Sequence, residues 1–328
     1  MAREPPDTLI ADLIDLGGAG LRVVELGGPA VTPAAGAGVV IVGVHRSGPL
    51  PDLDPELFDI LLSAAPDAPA PWVGVEALDD VLAHLQAVAD RQPAAVAIAA
   101  QVLRTTLTLP FEQALVQESL AYSALLASAG FRAWRAGIPM RDRGDGDVAR
   151  LGVTWSADRI MIILMRPKAR NAFDARMRDS LVDALGAAID HPDPLPVILA
   201  GEGPCFSAGG DLDEFGSASD IGEAHLIRTL RSPARLAHQL SARLTVRLHG
   251  ACVGAGIEVP AAAGRVMARP GASFRLPEVS MGLIPGAGGT ATIPRRIGRH
   301  RACYMAISGR EIDLATALAW ALVDEVEA

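Results

Sequence analysis

Three glycine-rich stretches gather the residues whose types and spacing could do chemistry. In residues 204–215 (PCFSAGGDLDEF), the small residues Ser207, Ala208, Gly209 and Gly210 precede Asp211 and an apolar-periodic segment that reads as the start of a helix. Small side chains leave backbone N–H groups uncovered. At a helix N-terminus those groups point outward with the positive end of the dipole, which suits an anion or a developing oxyanion. An ordinary helix start capped by Asp211 satisfies the same pattern. Residues 249–259 (HGACVGAGIEV) repeat the arrangement, with Glu258 on the second turn of the expected helix. Ile257, Val259 and the alanines at 261–263 are apolar, so a partly desolvated Glu258 would have its pKa raised towards the acid/base range. A solvent-facing glutamate, or a first-turn charge answering the dipole, is the competing reading. The third stretch joins Glu278, at the end of an expected strand, to the loop IPGAGGT at 284–290. Its Gly286-x-Gly288-x-x-Ala291 spacing fits the loose dinucleotide pattern, but Pro285 and the missing strand-to-helix context reject that reading. Two glutamates beside two glycine-rich anion sites make a better theme. One carboxylate can act as base towards a water while the other delivers a proton, as addition of water across a double bond requires.

The segments between these stretches must hold them in place. Residues 159–165 (RIMIILM) read as a buried strand, and 174–189 carry Met177, Leu181, Leu185 and Ile189 at helical spacing. Residues 196–200 (PVILA) and 244–248 (LTVRL) are further strands, each leading into a glycine-rich turn and a helix-compatible stretch. Repeated strand–turn–helix units imply an α/β fold with helices on sheet faces. A polar, Gly- and Asp-rich boundary at 139–150 separates two regions, 1–150 and 151–328. In the first, strands are expected at 39–44 and 72–75, then long amphipathic helices over 78–91 and 93–126. The Pro- and Ala-rich segments 27–38 and 64–71 read as surface connections.

Composition removes several classes of function. The 328 residues are 50% hydrophobic and 20% charged, which excludes a disordered or collagen-like chain. A net charge of −9 gives no footprint for nucleic acid, although Arg295, Arg296, Arg299 and Arg301 form a local cluster able to hold phosphate. No apolar run approaches the ~18 residues of a membrane helix, and MAREPPDTLIADLID lacks the basic flank and apolar core of a signal peptide. A cytoplasmic protein that avoids membranes is expected. Three cysteines, Cys205, Cys252 and Cys303, form neither a disulfide framework nor a metal knuckle, and no metal is expected. Lys168, the only lysine, is followed by Ala169, so no P-loop can be written. The histidines contain no His-x-x-x-His pair, and Ser207 lacks the leading glycine of a nucleophile elbow.

Across residues 155–326, four motifs in series resemble the crotonase (enoyl-CoA hydratase/isomerase) superfamily. RPKARNAF at 166–173 is similar to its first CoA-binding loop and SAGGDL to its first oxyanion-hole segment. HGACVGAGIEV resembles the second oxyanion-hole segment, and LPEVSMGLIPGAGGT the catalytic-carboxylate segment with its glycine loop. The resemblance implies a repeated ββα spiral core. It implies that the N–H groups of Gly210 and Ala255 polarise a thioester carbonyl, that Glu258 and Glu278 are the glutamate pair of true hydratases, and that Gly286 helps hold the catalytic water. It places Arg166, Lys168, Ala169, Ala208 and Gly209 along CoA and leaves Asp211 a structural, capping role. CoA then belongs to the substrate, no separate cofactor is needed, and a homo-oligomer, trimer or hexamer, is implied. The first activity implied is hydration of a 2-enoyl-CoA to a 3-hydroxyacyl-CoA, with enoyl-CoA isomerisation as an alternative.

Family members continue, after the motif matched by ATALAWALVDEV at 315–326, with helices that close the acyl pocket and build the trimer. Residues 79–137 resemble that helical segment, so closing helices that precede the core are expected, with an unrelated helical domain as the alternative. Within it, ESLAYSALLASAGFRAW also resembles the N-terminal helices of the dihydroxyphenylacetyl-CoA dioxygenase branch, a cofactor-free oxygenase. That branch supplies a further alternative activity. A catalytically weak CoA-binding scaffold is the reading from another class.

Overall fold

The computed structural model describes residues 20–27, 38–141 and 148–327. The N-terminal segment, most of the 27–38 connection and the centre of the 139–150 boundary lie outside the described residues. Four parallel strands, β1 (Leu21–Leu26), β2 (Val40–His45), β3 (Ile60–Ser63) and β4 (Val73–Gly74), form one sheet in that order. β2 and β3 are buried along their whole length, the condition of parallel strands covered on both faces. β1 and β3 were not expected, because LRVVEL has no clean alternation and ILLS is too short for periodicity to speak.

Four helices follow: α1 (Leu78–Arg91), α2 (Pro93–Thr105), α3 (Phe111–Leu126) and α4 (Ala129–Ala136). The first matches its expected span. The single helix expected over 93–126 is two, because Pro110 has no N–H to continue the ladder and sits as the non-helical residue that starts α3.

The second region runs β5 (Leu151–Trp155), β6 (Ile160–Leu164), α5 (Ala175–Asp190), β7 (Val197–Gly201), α6 (Ile221–Leu230), α7 (Pro233–Gln239), β8 (Leu244–Leu248), β9 (Ala251–Val253) and α8 (Ala255–Glu258). It continues with β10 (Arg265–Ala268), β11 (Ser273–Arg275), α9 (Gly289–Ile297), α10 (Arg299–Ser308), β12 (Ile312–Asp313), α11 (Leu314–Ala319) and β13 (Glu325–Val326). Six strands form a sheet in the order β13-β10-β8-β7-β6-β5, in which only the β5–β6 pair is antiparallel. A smaller sheet has the order β12-β11-β9. Consecutive strands β8 and β9, then β10 and β11, place one strand in each sheet, which is the repeated turn of a spiral. α5 starts where Asp174 caps it, accepting from the Met177 N–H at 2.7 Å.

One contiguous apolar cluster joins the two regions, taking in Val44, Leu85 and Val96 from the first and Ile293 and Met305 from the second. Three arginines of the cluster, Arg295, Arg299 and Arg301, reinforce that seam. Arg299 and Arg301 are buried, donating to the carbonyls of Phe58 at 2.9 Å and Trp72 at 3.0 Å, while Arg295 donates to Leu109 O at 2.8 Å. Arg296 donates to Ala263 O at 2.8 Å and pairs with Asp324. Carbonyls of the first region satisfy Arg295, Arg299 and Arg301, and groups of the second region satisfy Arg296. Among the described residues no helix is long and apolar enough to cross a membrane.

Candidate active site

Gly210, Ala255, Glu258, Glu278 and Gly286, collected from four separate stretches of chain, line one cavity of about 220 Å³. Two glycines make the convergence possible. Gly209 (φ +91°) lies so close to the second strand that a β-carbon there would sit 2.8 Å from Val253 O. Gly254 (φ +51°) would press a β-carbon to 2.4 Å from Glu278 Oε1 and 3.7 Å from Glu258 Oε1. Both carboxylates therefore reach the same bare patch of backbone, and a side chain is barred there by conformation and by space.

The N–H groups of Gly210 and Ala255 donate to no protein acceptor among the described residues. Gly210 is held by an isolated bridge to Phe173, and Ala255 opens the short helix α8. Two uncommitted amides on one cavity are what a developing oxyanion requires. The first does not belong to a helix start, contrary to expectation. Past Asp211 the chain makes turns, and α6 begins only at Ile221, where Asp220 caps it. Asp211 instead pairs with Arg166 at 2.6 Å through one carboxylate oxygen and accepts from the Asp213 N–H at 3.2 Å through the other, so it caps a turn where no helix follows.

The two expected glutamates are buried and differ in their partners. Glu258 Oε2 accepts from Ala287 N at 2.7 Å and Gly289 N at 2.9 Å, which leaves Oε1 towards Gly254. Desolvation pushes its pKa up to about 7 against the pull of those two amides. Glu278 Oε2 is buried with no hydrogen-bond partner, so desolvation, then repulsion from Glu258, drives its pKa well above the usual carboxylate range. A neutral acid beside a carboxylate poised near neutrality is the pairing that general acid/base chemistry uses.

A third glutamate, not anticipated from the sequence, comes from the first region. Glu118 on α3 accepts from Gly288 N, Thr290 N and Thr290 Oγ1, each at 2.7 Å. The loop 287–290 is thus clasped on alternate amides, 287 and 289 by Glu258, 288 and 290 by Glu118. Burial raises the Glu118 pKa to about 8, and the Glu258 charge adds to the rise. A signal was present in the sequence: Glu118 sits on the buried stripe of α3, between Leu115 and Tyr122. Tyr122 closes the cavity from the same helix. A β-carbon on Gly286 would fall 2.4 Å from its ring.

The residues expected along CoA do not themselves line this cavity. Lys168 is exposed on the turn Pro167–Ala169, with Ala169 buried beneath it. Ala208 N donates to Arg170 O at 2.9 Å, which joins that turn to the Ala208–Gly209 backbone. The Arg166 guanidinium is buried, 2.6 Å from Asp211 and 3.5 Å from Asp174. Arg150 completes the chain of charges with its own bond to Asp174 at 2.7 Å. Arg166 thereby ties the loop to the start of α5, its buried guanidinium held by its counter-ions. Asn171 locks the same loop, donating to the carbonyls of Glu202 at 2.8 Å and Phe206 at 3.0 Å.

Residues 156–328 match the family model described as enoyl-CoA hydratase/isomerase. The chain belongs to the enoyl-CoA hydratase/isomerase family. It is 32% identical over 174 residues to an enoyl-CoA isomerase/hydratase of Mycosarcoma maydis, covering 50% of this chain and 64% of that one. It is 33% identical over 172 residues to the 2,3-dehydroadipyl-CoA hydratase of Escherichia coli, covering 51% and 65%. These matches span just under two thirds of the relatives' own length. Among solved structures, the enoyl-CoA hydratase of Thermoplasma volcanium superposes with a TM-score of 0.50 at 30% identity, covering 55% of this chain and 72% of that one. The crotonase fold expected from the motifs is therefore the fold of the second region.

Proposed function

We propose that this protein adds water to a 2-enoyl-CoA to form a 3-hydroxyacyl-CoA. The observation that carries the proposal is the approach of Glu258 and Glu278 to one bare backbone position beside two uncommitted amides. The thioester carbonyl accepts from Gly210 and Ala255, so that electron density leaving the double bond has a stabilised oxygen to occupy. Glu258 takes a proton from water as the oxygen attacks the β-carbon, and its raised pKa of about 7 suits a base working near neutrality. The resulting enolate collapses by taking a proton from Glu278 at the α-carbon. Hydroxyl and hydrogen are thereby added across the double bond, and proton exchange between the carboxyls and solvent restores the starting state.

Glu118 acts through Glu258. By clasping the intervening amides it holds the loop that orients the Glu258 carboxylate. CoA is carried by the substrate and no further cofactor enters this scheme. Lys168 and Ala169, with Ala208 and Gly209, border the side from which the CoA arm would approach. Closing helices placed ahead of the core, assembly into trimers or hexamers and a cytoplasmic setting complete the reading.

The test is turnover of short 2-enoyl-CoA thioesters, followed by loss of the conjugated absorbance and by product analysis. Glu258→Gln and Glu278→Gln are each expected to lower kcat by at least ~100-fold, the scale of a lost general acid or base. A shifted double bond would replace hydration by isomerisation. Oxygen uptake on an arylacetyl-CoA would point to the oxygenase branch. Binding of CoA thioesters without any turnover would leave a scaffold.

A further inference from the structure

Five arginines line the cavity and the wider space that adjoins it, and four of them are spoken for. Arg178 pairs with Asp179 at 2.9 Å, and Arg231 with Asp183 at 2.9 Å. Arg132 and Arg135 donate to the carbonyls of Ala127 and Leu212. Arg228 differs. Its guanidinium donates to Ser119 Oγ at 3.1 Å and to Ser123 Oγ, and lies 4.9 Å from the centre of the Tyr122 ring. Among the described residues no carboxylate pairs with it. Glu118, whose charge it feels, spends both oxygens on the loop amides and Thr290.

A half-buried cation that hydrogen-bonds only to hydroxyls, with the Arg178 cation also acting on it, is short of a counter-ion. Both serines and the tyrosine come from α3, so α3 and α6 hold the guanidinium between them. Its position sets what could supply the missing charge. The Tyr122 ring packs against Gly286 on one side and carries Arg228 near its face, and Tyr122, Arg228 and the two reacting carboxyls line the same cavity. The Tyr122 hydroxyl makes no hydrogen bond among the described residues and is a second polar group for the same guest.

We propose that Arg228 receives a carboxylate at the far end of the acyl chain, so that the substrate is the CoA thioester of a dicarboxylic acid. This inference rests on the acyl-CoA reading above. It also gives α3 two tasks, clasping the catalytic loop through Glu118 and building the anion seat through Ser119, Tyr122 and Ser123.

Calorimetric titration of the protein with hexanoyl-CoA, adipyl-CoA and free CoA tests the proposal without requiring turnover. Adipyl-CoA is expected to bind about ten- to a hundred-fold more tightly than hexanoyl-CoA, the worth of a charge-assisted hydrogen bond in a partly dry site. Arg228→Gln should bring that ratio close to one, and Arg228→Glu should invert it. Equal affinity of the unaltered protein for the two thioesters overturns the proposal, and that measurement needs no variant to fold. A preference that survives in Arg228→Gln overturns it too. So does equal weakening of all three compounds by Arg228→Gln, because the guanidinium would then be meeting a CoA phosphate. If the preference holds while no enoyl-CoA is hydrated, carboxylate recognition stands and the hydratase reading falls. Hydration without any preference has the reverse meaning.

Discussion

Glu258 and Glu118 do the same physical work on opposite sides of one loop, yet they come from very different parts of the molecule. Glu258 lies in the spiral core, four residues past Gly254, in a stretch whose glycines and strand already announce a site. Glu118 lies in the middle of an ordinary helix, 170 residues from the Gly288 amide it accepts. Each takes alternate amides of residues 287–290, and burial raises the pKa of each. The core therefore carries the chemistry while the preceding helices complete its environment. The core alone would leave the loop half-held and the carboxylates wet, with pKa values falling back towards those of ordinary glutamates.

The comparison can be broken most forcefully at Arg166. If that residue belongs to the frame of the core, Arg166→Met strands Asp211 in a buried site and should cost about 3–5 kcal/mol in a urea unfolding measurement. A small cost together with a large loss of CoA affinity would return Arg166 to the ligand-binding loop.

Glu118→Ala tests the contribution of the helices. It leaves two amides and a hydroxyl without their acceptor, for a loss of about 2–3 kcal/mol in stability. The loosened loop should lower kcat about ten-fold with a smaller effect on KM, since the Glu258 carboxylate is misdirected more than the substrate is released. Restoration of most activity by Glu118→Gln would sharpen the point, because one acceptor oxygen remains. Full activity in Glu118→Ala would reduce α3 to a lid.

The smallest effect expected is on the pH profile. The base must be ionised, so kcat should rise with pH through about 7 as Glu258 loses its proton. Burial raises the Glu118 pKa to about 8, so it is mostly uncharged while Glu258 titrates, and Glu118→Gln should leave that limb nearly in place. A clear shift to lower pH would show that Glu118 is ionised and acts on Glu258 through its charge.

Local pattern carried much of the architecture. α1 and β8 fall on their expected spans because each is long enough, or alternates cleanly enough, for one buried face to be read. The split at Pro110 was available from proline chemistry alone but was hidden by continuous apolar periodicity on either side. Asp211 was misread for a different reason. An aspartate after two glycines fits a cap, but only a turn follows it, and while one carboxylate oxygen accepts from the Asp213 N–H the other meets Arg166, 45 residues earlier in the chain. The basic cluster at 295–301 misled in the same way, since Arg295, Arg299 and Arg301 find their acceptors on loop carbonyls of the first region.

The sequence by itself determined which backbone positions had to stay bare, Gly209 and Gly254, and which acids stood beside them. Those properties follow from the conformations that small residues allow and from patterns that repeat within a few turns of chain. Tertiary structure alone decided how charges and hydrogen bonds were shared: Arg166 with Asp211, Glu118 with the loop, and Arg228 with hydroxyls only. These partners lie between 45 and 172 residues apart, and no periodicity reaches that far. Their pairing is set by which faces the apolar core brings together, and burial then fixes how much each charge depends on its neighbour.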